Sequence, residues 1–165
     1  MNAYVSKLQK VRATSSTDAT FASRAPTATA PSGAGVLHDP IVGQGTPEWV
    51  QIVPFGDGAD NSTFDLRVIG WKPTELGLWV PTILAQAACT LSAAVGVNGF
   101  EVTASQRFAD TIALTQVLAN VDSKVSSPTG DLVGSFQVQT RGSVLVEVIF
   151  DLGTATGANA LVSWV

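Results

Sequence analysis

The sequence predicts an all-β fold, a jelly-roll-like β-sandwich preceded by an extended N-terminal arm. Three observations lead there. Short stretches that alternate apolar and polar residues recur through the chain, separated by turn residues. No segment sustains a 3.6-residue period with capping residues at its ends. Composition shifts near residue 47, which divides an arm (residues 1–47) from a body (residues 48–165).

The arm is rich in Ser, Thr, Ala, Pro and Gly, as in the runs 13–20 and 26–35. Such residues bury too little apolar surface to offset their own ordering entropy. Prolines at 26, 31, 40 and 47 favour extended geometry and interrupt helices and sheet ladders. The arm is therefore expected to become ordered against a partner. The side chains best suited to anchor it there are Tyr4, Lys7, Lys10, Arg12, Phe21, Arg24, Leu37, His38 and Ile41.

The body reads as strands. Residues 48–54 (EWVQIVP) form the first, and residues 55–62 (FGDGADNS) supply Gly, Asp and Asn for a reversal. Residues 63–71 (TFDLRVIGW) alternate cleanly, with Phe64, Leu66 and Val68 on one face and Asp65 and Arg67 on the other. Another strand is expected to begin at 78–83, punctuated by Pro81, and to continue through 85–95 with Thr90 and Ser92 in alternation; a further one is expected at 108–117. A helix over 106–120 is the one alternative, and its Thr-rich alternation favours strand. Residues 132–140 set Phe136 and Val138 between glutamines. Residues 143–150 (SVLVEVIF) are apolar on both faces except for Glu147, as in a strand covered on each side. Residues 160–165 close the fold.

Only 13% of the 165 residues are charged, about half the roughly 25% of an ordinary domain. A surface so poor in charge suggests burial in an assembly. The residues before Glu48 carry a balance of +2 and those from Glu48 onward −6. A mildly acidic body offers no basic stripe to displace counterions from phosphates, so no nucleic-acid partner is expected. No apolar run is long enough for a membrane helix, and the first twelve residues lack the apolar core of a secretory signal. The single cysteine, Cys89, leaves no internal disulfide or cysteine-based zinc cluster, and is expected to be a buried inert thiol.

Catalytic patterns are lacking. The one histidine, His38, stands beside Asp39 in the proline-bounded stretch LHDPIVG, without a visible supporting shell. No nucleophile elbow, phosphate-binding loop or zinc-protease motif occurs. Asp57, Asp60, Asn61 and Asp65 resemble a calcium loop only in composition: no Glu stands at the bidentate position, and a turn explains the same residues. No catalytic residue, cofactor, metal or small-molecule substrate is therefore expected, and the chain reads as a non-enzyme. Trp49, Trp71, Trp79 and Trp164 each sit beside apolar strand residues, which favours packing over a sugar-stacking platform. Trp164, at the end of the last strand, is the strongest candidate for an intersubunit anchor.

Together with this architecture, residues 144–164 (VLVEVIFDLGTATGANALVSW) resemble the C-terminal strand–turn–strand ending of small structural proteins of tailed-bacteriophage virions. The likeness is to head decoration, or cement, proteins. It implies a capsid-surface location after synthesis in the host cytoplasm. It also implies binding to the major capsid protein and to copies of itself as a homodimer or homotrimer. A tail, neck or other minor virion protein, and a carbohydrate- or receptor-binding module using the tryptophans, are the alternatives.

Overall fold

The computed structural model describes residues 9–13, 24–32, 36–38, 49–59, 61–91, 99–105, 111–117, 131–133 and 136–164. They contain no helix. Eleven strands are described: β1 (Gln9–Ala13), β2 (Val36–His38), β3 (Trp49–Asp57), β4 (Thr63–Pro73), β5 (Trp79–Thr90), β6 (Gly99–Ser105), β7 (Thr111–Val117), β8 (Asp131–Leu132), β9 (Phe136–Gln139), β10 (Leu145–Asp151) and β11 (Gly157–Trp164). They make two antiparallel sheets. The first runs β1-β11-β3, with β8 and β9 both pairing the far side of β3; the second runs β2-β10-β4-β5-β6-β7.

The alternation read from residues 63–71 becomes the central core of this β-sandwich. Phe64, Leu66 and Val68 of β4 and Val146, Val148 and Phe150 of β10 face Val50 and Ile52 of β3 and Ala158, Ala160 and Val162 of β11, all in one buried cluster. The Phe64 and Phe150 rings stand 6.5 Å apart at 46°, within the favourable range for tilted aromatic pairs. Each of the Val, Leu, Ile and Phe side chains contributes roughly 1.5–3 kcal/mol when buried.

Several elements differ from expectation. β3 continues through residues 55–57, because Gly56 admits the Phe64 ring: a Cβ there would lie 2.5 Å from Phe64 Cε1. Residues 79–90 form one strand, which continues past Pro81. Pro81 lies opposite Trp71, and the register shifts opposite Val68/Ile69, where Leu84 is the extra residue of a bulge. β6 has no counterpart among the expected strands. Within the predicted arm, β1 pairs β11 from Gln9↔Val162 to Ala13↔Ala158, and β2 pairs β10. Residue 47 thus marks a change of composition, while the described parts of the arm extend the body's own sheets. A two-residue turn, Arg141 (φ 54) and Gly142 (φ 72), carries the chain from β9 to β10. Both positive φ values fit a type I′ turn, closed by Ser143 N–H donating to Thr140 O at 3.0 Å.

Candidate functional site

The outer face of the second sheet holds a smaller apolar cluster, separate from the core. Val36 of β2, Ile69 and Trp71 of β4, and Leu145 and Ile149 of β10 are buried there, with Ala30, Trp79 and Val144 packed against them. Period-2 alternation puts them on this face. In β10 it sends Val146, Val148 and Phe150 inward and Leu145, Glu147 and Ile149 outward. Glu147 lies amid this apolar surface. Residues 24–32 cross the same face, so part of the arm has a seat on the chain's own body.

Three kinds of contact hold that segment. The Arg24 guanidinium donates from Nε to Glu147 Oε1 and Oε2 at 3.2 and 3.3 Å, and from Nη2 to Oε1 at 3.0 Å. The Arg24 and Glu147 side chains are 19% and 14% exposed, buried enough for charge-assisted hydrogen bonds to exceed those of a surface pair. Trp71 Nε1–H donates to Glu147 Oε2 at 2.9 Å, so one carboxylate joins β10, β4 and the arm. Next, Thr27 and Trp79 form an isolated antiparallel bridge, each N–H donating to the other's carbonyl at 3.0 and 2.7 Å. Finally, Ala30 packs on the apolar cluster, while Ala25, Pro26, Ala28, Thr29 and Ser32 remain exposed.

The expected anchor residues are distributed as follows. Arg24 lies in this seat. Leu37 and Trp164 are buried in the chain's own core. Lys10, Arg12 and His38 stand in β1 and β2. Tyr4, Lys7, Phe21 and Ile41 lie outside the described residues. Trp71 is also buried, whereas Trp49 is 40% exposed. Sequence reasoning missed Glu147, Trp71, Thr27 and Trp79 as seat residues. The signal was available in Glu147: a lone charge in an apolar strand needs a partner.

Elsewhere, the β4–β5 hairpin ends in a tight tip. Thr74 and Leu78 exchange backbone and side-chain hydrogen bonds, Gly77 has φ +75°, and Leu76 is 86% exposed. Asp57 and Asn61 belong to the β3–β4 corner, and Asp60 lies outside the described residues. Among the described residues no group of three His, Cys, Asp or Glu side chains is placed to hold a metal ion. Cys89 is buried, and that burial, with the nearby Asp65 charge, pushes its thiol far above its ordinary pKa. It is held protonated and unreactive.

No protein-family profile matches this chain, and neither does any curated protein or solved structure.

Proposed function

We propose that the chain is a structural protein of a virion, a head decoration or cement protein that binds the capsid surface and stabilises its lattice. Its partners in this reading are the major capsid protein and further copies of itself. It acts without catalysis or cofactor, and it joins the particle after synthesis in the host cytoplasm. The body is jelly-roll-like. In support, β3 and β11 are neighbours in one sheet while β4 and β10 are neighbours in the other, so two sheet-to-sheet crossings lie side by side, as in a folded-over hairpin.

The observation that carries the reading is the seat of residues 24–32. The contacts described for this small-chained, polar segment include an ion pair, a two-bond bridge and an alanine packed on the apolar cluster. A peripheral segment with most of its side chains exposed opens at lower cost than a core strand, and an extended segment can re-pair along a neighbour's surface through its backbone groups. The low charge content of the chain agrees with burial in a lattice. Repetition of a weak contact over that lattice raises its avidity.

The test is removal of residues 1–32, which keeps β2. Circular dichroism should still report a β-rich fold, while co-sedimentation with capsids lacking this protein falls at least tenfold. Undiminished binding contradicts the reading. If the truncated chain does not fold, Arg24→Glu replaces it, with the same expected loss of binding.

A further inference from the structure

The outer face of the first sheet carries an open array of its own, at the end away from the β3–β4 corner. Alternation in β3 sends Val50 and Ile52 into the core and Trp49, Gln51 and Val53 outward. In β9 it buries Phe136 and Val138 and leaves Gln137 and Gln139 exposed. Register sets these side chains in rows, because directly opposed residues of antiparallel strands share a face. Trp49 stands opposite Gln139, and Gln51 stands between Ser163 of β11 and Gln137 of β9. One step further, Val53 is opposite Leu161, and both are partly buried. Farther along β3 the same face is closed, with Phe55 and Asn159 buried.

We propose that this face binds a neutral linear oligosaccharide, with Trp49 stacking on one sugar ring and the row of amides bonding to hydroxyls. Trp49 is 40% exposed, whereas Trp71 and Trp164 are 3% and 4% exposed. A strand of the sandwich thus holds a large aromatic plate open to solvent, where packing would be the ordinary outcome. Its neighbours are of one chemical kind. Each glutamine amide offers two N–H donors and a carbonyl acceptor, and Ser163 adds a hydroxyl. Sugar hydroxyls are likewise donors and acceptors at once. None of these side chains is charged, which favours a neutral polyhydroxylated ligand over a phosphate, a sulfated chain or an acidic peptide. From the Trp49 row to the Val53 row the face extends about 13 Å along β3. That is longer than one sugar ring, so a chain of several units lies across Trp49, the amides and the Val53–Leu161 step. A shallow face with few contacts binds weakly, and repetition of copies in an assembly raises its avidity. The seat of residues 24–32 lies on the other sheet, so glycan binding neither requires nor blocks its opening.

The test is a titration of the full chain with neutral linear hexasaccharides of glucose, mannose, galactose and N-acetylglucosamine, followed by heteronuclear NMR. At least one should shift the Trp49 indole N–H and the Gln137 and Gln139 side-chain amides, saturating in the millimolar range or below. The indoles of Trp71 and Trp164 should stay in place. Trp49→Ala should weaken binding about tenfold or more, and the matching monosaccharide should bind more weakly than the hexasaccharide. If Trp49→Ala does not fold, Gln137→Ala combined with Gln139→Ala, both at exposed positions, takes its place with the same expected loss. A panel that shifts none of these side chains overturns the proposal. So does binding that survives both variants, or that occurs only with sulfated or sialylated chains. Loss of capsid co-sedimentation in Trp49→Ala, with no glycan bound by the native chain, assigns the face to a protein partner and likewise overturns glycan binding.

Discussion

Asp65 of β4 and Asp151 of β10 are directly opposite each other in the second sheet, where like charges repel. Burial first, then the Asp151 charge, raises the Asp65 pKa above its ordinary 3.8, with Arg67 opposing. The folded chain therefore binds this proton more readily than the unfolded chain does. The stability that follows is fully present below pH 3.8 and is lost as pH rises through the raised folded value. At neutral pH the ionised carboxylate is a net cost. Asp65→Asn should accordingly raise the melting temperature at pH 7, with the advantage shrinking to nothing as the pH is lowered past 3.8. A pH series of thermal melts reads this directly. The opposing pull of Arg67 is part of why the carboxylate is tolerated, and Arg67 is itself held by Gln86 Oε1 at 3.1 Å from its Nε.

At the scale of elements, β4 packs tightly where it passes the turn into β10. A Cβ on Gly70 would lie 2.1 Å from Ser143 Oγ and 3.0 Å from Leu84 Cδ1. Gly70→Ala should therefore destabilise the fold by about 1–3 kcal/mol, measured by denaturant titration. Ser143→Ala should be close to neutral, because that buried hydroxyl has no hydrogen-bond partner among the described residues to lose. The sequence made β4 legible through the strict alternation of Phe64, Leu66 and Val68, and β10 legible through its apolar run. It hid the bulge in β5, because at Leu84 the register slips without ending the strand. β1 and β2 were hidden for a different reason. QKVRA and VLH are too short to show a period, and their pairing depends on edges formed more than a hundred residues later. The seat was half legible: Glu147 stood out as a charge among apolar residues, but nothing local shows that Arg24 reaches it.

Across the whole molecule, the two sheets and their shared core form the stable part, and residues 24–32 are an addition to its outer face. The same arrangement gives β1 and β2 a protective place, since they cover strand edges of β11 and β10 that would otherwise be open to pairing. Binding of a neighbour by residues 24–32 requires their seat to open while the sandwich stays closed, so the difference in stability between seat and core decides the matter. Native-state amide hydrogen exchange measures it most directly. Thr27 N–H and Trp79 N–H are bonded only to each other's carbonyls, so their exchange reports the seat, while amides of β4 and β10 report the core. The two seat amides should exchange far faster than those of Val148 and Leu66. Glu147→Gln, which removes the ion pair and keeps an acceptor for Trp71, should speed them roughly tenfold further, the equivalent of about 1.4 kcal/mol, and leave the core rates unchanged. If Thr27 and Trp79 exchange only at the rate of global unfolding, in the native chain and in Glu147→Gln alike, the arm is a fixed part of the sandwich and the account is contradicted.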